Sequence, residues 1–262
     1  MPKQHINNID LYYEISGQGQ PVVFIHGLGS STGDWELQTP FFSKQFQVIT
    51  LDVRGHGQSQ KPPGPYSIPL FASDVAAFIE ALDIAPAHIV GISMGGMIAF
   101  QLAVDRPDLI RSMVIVNSGP EVVPHTLKEY WFVASRLLLV YLFSMRKIGE
   151  VIGGGLFPKP EQVKARQQFV ERWAENDKRA YVAAMRAIVG WSVTEHLPKM
   201  NTPTLILTGD RDNTTVEAKE KYMAKLPQAE LVVIENSGHA SPVDQPELFN
   251  EALMAYLAKQ AS

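Results

Sequence analysis

The stretch Val90-Gly91-Ile92-Ser93-Met94-Gly95-Gly96 constrains this chain more than any other. It follows the apolar run His88-Ile89-Val90, which reads as a buried strand, and it leads into Met97-Ile98-Ala99-Phe100-Gln101-Leu102-Ala103, which reads as a helix. A serine between two glycines at a strand-to-helix turn is the pattern of an exposed nucleophile. Such a turn is tight enough to strain the serine backbone, and side chains at Gly91 and Gly95 would obstruct it. Its hydroxyl then sits at a helix start, where backbone N–H groups favour developing negative charge. Pro107 ends the helix.

A strand, a sharp turn and a helix imply a sheet with crossover helices, and the flanking segments repeat that alternation. Pro21 to Ile25, Gln47 to Leu51, Met113 to Asn117, Pro203 to Thr208 and Leu231 to Ile234 are short continuous apolar runs of the kind buried in a parallel sheet. Before them, two alternating segments around Asn7-Asn8 predict an antiparallel hairpin at an edge. Leu70, Phe71, Val75, Phe78, Ile79 and Leu82 follow helical spacing, so the segment from Pro69 to Leu82 covers one sheet face. Further helices are expected over Ala218 to Leu226 and from Pro246 to Lys259.

Between Gly119 and Met200 the alternation stops, leaving helical patterns over Leu127 to Met145 and Glu161 to Gly190. The apolar stretch from Tyr130 to Met145 is too short and too interrupted for a bilayer span, and predicts a buried helix. Trp131, Phe132, Leu138, Leu139, Tyr141, Leu142 and Phe143 exceed what one helix stripe requires, so some are expected to face a pocket, the alternative being that all are core, which is the better expectation for any single one. Gly153-Gly154-Gly155 reads as a joint or a loop. The chain of 262 residues is thus expected to form one domain with an insertion.

Composition narrows the chemistry. A formal net charge of −4 without a basic cluster argues against nucleic acid and favours small neutral or weakly charged ligands. The absence of cysteine excludes disulfides, thiol nucleophiles and thiolate metal sites. No apolar leader follows Met1, and a cytoplasmic location is the default expectation. No H-E-x-x-H or phosphate-cradling glycine pattern occurs.

Serine is a weak nucleophile that needs a base within reach, and the base needs an orienting acid. His239, in Ser237-Gly238-His239, and an aspartate of Gly209-Asp210-Arg211-Asp212 each follow a predicted parallel strand, so their loops can converge on Ser93. His26-Gly27-Leu28-Gly29-Ser30-Ser31, also at a strand's carboxyl end, suits an oxyanion loop, with Leu28 and Met94 supplying the N–H donors. His56, between two glycines and beside Asp52 and Arg54, reads as part of a rigid turn, and Trp35 as core.

With these motifs in their order, Ser…Asp…His, the whole chain resembles an α/β-hydrolase. The matching features are His26-Gly27, Asp52 to Ser59, Gly91 to Gly96, Gly209 to Asp212, and Ser237-Gly238-His239 before Asp244-Gln245-Pro246-Glu247-Leu248-Phe249. The resemblance implies an α/β fold with an eight-stranded, mostly parallel sheet and helices on both faces. Residues 1–120 and 201–262 would form the core and 121–200 an inserted helical cap. It further implies Ser93 as nucleophile, His239 as general base, Asp212 as the acid ahead of Asp210 and, more remotely, Glu121, and Leu28 and Met94 as oxyanion donors. The Gly-Ile-Ser-Met-Gly-Gly form is similar to small carboxylesterases and enol-lactonases, which implies ester hydrolysis without a metal or organic cofactor, on a small-molecule substrate, by a monomer or homodimer without a membrane span. A lactonase, a C–C bond hydrolase and a ligand receptor that keeps the fold are the alternatives.

Overall fold

A computed structural model describes residues 2–260, apart from the side chains of residues 128, 129 and 132. In chain order the strands and helices are β1 (Lys3–Ile6), β2 (Ile9–Ser16), β3 (Pro21–Ile25), α1 (Thr39–Phe42), β4 (Gln47–Leu51), α2 (Ile68–Ala81), β5 (Ala87–Ile92), α3 (Met94–Asp105), β6 (Ile110–Val116), α4 (Leu127–Leu142), α5 (Met145–Leu156), α6 (Val163–Ala174), α7 (Lys178–Ile188), β7 (Thr204–Gly209), α8 (Val216–Met223), β8 (Ala229–Ile234), α9 (Ser241–Asp244) and α10 (Pro246–Gln260).

The strands form one eight-stranded sheet in the order β1-β2-β4-β3-β5-β6-β7-β8. Asn7 and Asn8, at φ 47° and 61°, make the two-residue turn that joins β1 to β2. This is the left-handed geometry that short polar side chains tolerate in a hairpin. β2 runs antiparallel to β4, and every pairing from β4 through β3, β5, β6 and β7 to β8 is parallel. The carboxyl ends of β3, β5, β7 and β8 therefore share one edge of the sheet.

Successive residues of a strand face opposite sides, and the core divides accordingly. Val23, Ile25, Ile49, Ile89, Ile115 and Ile206 pack with Phe71, Val75 and Phe78 of α2 and Ile98 and Leu102 of α3. Val22, Phe24, Val90, Val114, Leu205 and Leu207 pack on the other face with Phe249, Leu253 and Leu257 of α10. Trp35 is fully buried there, its ring centroid 4.8 Å from that of Phe24. Each such side chain contributes about 2 kcal/mol of burial.

Helices α4 to α7 lie between β6 and β7 in sequence and share their own cluster of Val140, Met145, Ile148, Trp173 and Tyr181. Two expectations change here. The run over Leu127 to Met145 breaks at Ser144, whose hydroxyl accepts from the Lys147 N–H and caps α5, and α4 is buried on its inner side alone. Trp131, Leu138, Tyr141 and Leu142 are exposed, while Phe132 lies outside the described side chains. Gly153-Gly154-Gly155 is no joint but part of α5, because Gly149 and Gly153 give α6 room: a Cβ on Gly149 would stand 2.8 Å from that of Trp173. No described helix is long and apolar enough to cross a membrane.

Candidate active site

Ser93 stands between the last residue of β5 and the first of α3, at φ 53° and ψ −115°. A left-handed conformation costs a non-glycine residue about 1–3 kcal/mol and persists where the surroundings over-determine it. The surroundings do so here. The Ser93 N–H donates to the Val116 carbonyl at 2.9 Å, its carbonyl accepts from the Ser118 hydroxyl at 2.7 Å, and Cβ atoms on Gly91 or Gly95 would run into the carbonyls of Gly95 or Ile25.

The loop after β8 carries His239, whose Nδ1 lies 2.6 Å from Asp212 Oδ1 in the loop after β7. The Asp212 side chain is fully buried, and that of His239 is 24% exposed. Burial opposes the Asp212 charge, but the hydrogen bond and charge of His239 and the ammonium of Lys219 outweigh it and hold the carboxyl well below the usual range. Asp210 instead accepts the Ser237 N–H at 2.9 Å and fixes the histidine loop, and Glu121 accepts from the hydroxyls of Ser192 and Thr194. Of the three acids considered, Asp212 is the one bonded to His239.

Two residues of this constellation were not singled out in the sequence. Lys219, 1% exposed, donates from Nζ to Asp212 Oδ2 and to the Thr214 carbonyl. Its neighbourhood, Glu217-Ala218-Lys219-Glu220-Lys221, reads as a solvated helix face and gives no warning of a buried charge. Asn117, after β6, donates from Nδ2 to the His239 carbonyl at 2.8 Å and to the Ser241 hydroxyl at 2.7 Å, while its Oδ1 accepts from the Gly209 N–H at 3.0 Å. It thereby joins the ends of β6 and β7 to the histidine loop. Its place just after a central strand is the one available signal.

The loop from His26 to Ser31 lies against Ser93: a Cβ on Gly27 would be 3.5 Å from that of the serine. Met94 opens α3, so its N–H belongs to the helix turn that lacks intrahelical acceptors. Leu28 follows Gly27 in a turn closed by the Ser30 N–H on the Gly27 carbonyl at 3.2 Å. Asp34 braces the loop, accepting from the Ser30 hydroxyl and from the Gly27 N–H at 3.4 Å, and burial pushes its carboxyl up to about 6 against those bonds. Behind the loop, His26 donates from Nδ1 to the Gly27 carbonyl and accepts the Val53 N–H on Nε2, a pattern that fits only the neutral ring. Burial lowers it to about 4. His56, 1% exposed, donates to the Arg54 carbonyl and belongs to the turn after β4, where Asp52 accepts the N–H groups of Thr32 and Gln58.

Ser93 and His239 both line a cavity of about 360 Å³, within the ordinary range for small-molecule sites. Its walls are mostly apolar, from Leu139 and Val140 of α4, Ile148 and Ile152 of α5, Phe169 and Trp173 of α6 and Met185 of α7, with Asp34, Arg136 and Arg172 as polar groups. Side chains of α4 to α7 thus line the same cavity as the serine. Among the described residues no group of histidines and carboxylates could hold a metal ion.

The chain is similar to proteins whose names describe related chemistry. It is 31% identical to an (E)-2-((N-methylformamido)methylene)succinate hydrolase of Acinetobacter baylyi, over 96% of this chain and 95% of that protein. It is 28% identical to a 3-oxoadipate enol-lactonase of the same organism, over 96% and 94%. A thermophilic esterase of Thermogutta terrifontis superposes with a TM-score of 0.85 at 26% identity, over 97% of this chain and 95% of the other. The model of the alpha/beta hydrolase family matches residues 22–252, and the chain belongs to that family of hydrolases.

Proposed function

We propose that this hydrolase cleaves carboxylic esters of small to medium acyl chains through a serine nucleophile. The observation that carries the reading is the junction of Asp212 with His239 Nδ1 at 2.6 Å, on loops that bring His239 to the same cavity as the strained Ser93. Asp212 keeps the proton on Nδ1 and leaves Nε2 as the base. Nε2 takes the Ser93 hydroxyl proton as Oγ attacks the ester carbonyl, and the backbone N–H groups of Leu28 and Met94 hold the oxyanion. The imidazolium returns the proton to the departing alcohol. Water, deprotonated by His239, then releases the acid and restores Ser93. No step calls for a cofactor or a metal.

Residues 121–200 act as a cap whose apolar walls accept the acyl group, and about 360 Å³ suits a short to medium chain. A panel of p-nitrophenyl esters from acetyl to long acyl, with wild type beside Ser93→Ala, tests this. Activity should peak at one chain length and disappear in the variant, and a folded wild type inactive on the whole panel would overturn the ester reading. The similarity to an enol-lactonase supports a second reading, hydrolysis of a cyclic ester by the same residues, and a preference for lactones over linear esters would establish it.

A further inference from the structure

Helix α4 has two apolar faces and a cover for one of them. Its inner side supplies Arg136, Leu139 and Val140 to the cavity wall. On the outer side Leu127, Tyr130, Trp131, Leu138, Tyr141 and Leu142 recur at intervals of three, four or seven residues and are 83%, 58%, 75%, 57%, 52% and 67% exposed. At 100° per residue these six fall within one stripe that runs the length of the helix, about 24 Å. Exposed fractions of ordinary side-chain areas give a bare apolar surface on the order of 800 Å², above what a monomer ordinarily leaves in water. It equals the share that each partner buries in a specific protein–protein interface, and tryptophan and tyrosine are the residues that such interfaces favour.

Charge is arranged differently at the two ends of the stripe. At the carboxyl end, α7 carries Lys178, Arg179 and Arg186, of which Arg179 pairs with the capping Asp177 at 3.4 Å. Lys178 Nζ donates to the carbonyls of Tyr141 and Phe143, and Arg186 donates to the Tyr141 hydroxyl. The segment leading into the amino end carries Glu121, which lies 3.8 Å from His125 Nε2. An apolar stripe of this area, running the length of the helix, complements itself when two copies meet antiparallel about a two-fold axis.

We propose that the occupant of this face is a second copy of the chain, with two α4 helices packed antiparallel about an axis near Ala134 and Ser135. Each partner then holds the outer face of the helix whose inner face walls the other's cavity. Dimerisation therefore braces one wall of the cavity from outside, whatever substrate it encloses.

Sedimentation velocity of the full chain over a dilution series tests the proposal independently of any activity. Wild type should sediment at twice the chain mass and dissociate on dilution, with a melting temperature that rises with protein concentration. The double variant Trp131→Glu, Leu138→Glu should sediment as a monomer at every concentration, with an unchanged far-ultraviolet spectrum. A milder variant guards against loss of fold: the chain has no cysteine, so Ala134→Cys introduces a single thiol next to the axis. Treated with diamide, which takes up the two thiol hydrogens, it should convert to a disulfide-linked dimer. A wild type that is monomeric throughout, including one that instead binds anionic vesicles, overturns the proposal. So does a dimer that survives the double glutamate variant or that Ala134→Cys fails to cross-link.

Discussion

At the scale of single residues, the Asp212 carboxylate has two side-chain partners, the His239 ring and the Lys219 ammonium, and the second is visible in the structure alone. A lysine between two glutamates in a helix signals an exposed face, yet Lys219 closes its Nζ on Asp212 inside the protein. Sequence pattern reports amphipathic period, and α8 is short enough that one buried lysine leaves no trace in it. Removing one partner of a buried ion pair strands the other, so Lys219→Met should destabilise the fold by about 3 kcal/mol in urea unfolding. An unchanged midpoint would show that His239 alone satisfies Asp212. Asn117 is hidden for another reason: its value lies in two segments distant in sequence, the end of β7 and the histidine loop, that converge on its one amide.

Elements show where sequence is most and least legible. The parallel strands are readable because each is a short apolar run, buried on both faces in β3 to β7 and partly covered in β8, and the Asn7-Asn8 hairpin because its turn chemistry is local. The glycines of α5 misled because helix propensity speaks against them, whereas close packing of α6 requires Gly149 and Gly153. That packing reaches the site. From the end of α6 the Asn176 amide donates to the Gly29 carbonyl at 2.7 Å, and Arg172 donates to the Gly33 carbonyl at 2.8 Å, so an inserted helix steadies the loop that carries the Leu28 N–H. Loss of one such bond is worth about 1 kcal/mol. Asn176→Ala should therefore lower kcat roughly fivefold with little change in KM, since the oxyanion forms after substrate binding. A fall in affinity with kcat intact would place Asn176 in substrate binding instead.

The whole molecule carries a pH dependence set by its buried histidines. Burial lowers His26 to about 4, and burial together with the nearby His26 lowers His56 to about 3. Below about pH 6.5 the unfolded chain protonates both and the folded chain does not. Stability therefore falls as pH drops, by about 4 kcal/mol for the pair at pH 5 relative to neutral. Asp34, raised to about 6, works the other way and restores about 1 kcal/mol over the same interval. Asp212, with its folded value depressed, contributes stability that is present above about pH 4 and lost only as pH falls further. Urea midpoints measured from pH 7 to pH 5 should decline steadily, and a flat profile would mean that the two imidazoles gain protons in the folded state.

The proposed chemistry requires Ser93 to be a nucleophile activated by His239, and covalent trapping tests that without knowledge of the natural substrate. Wild type and His239→Asn should be treated with a small alkyl fluorophosphonate and read by intact mass and peptide mapping. The expected result is one adduct per wild-type chain, on Ser93, and none on the folded variant in the same time. No adduct on folded wild type, or an adduct on another residue such as Ser30, would contradict it.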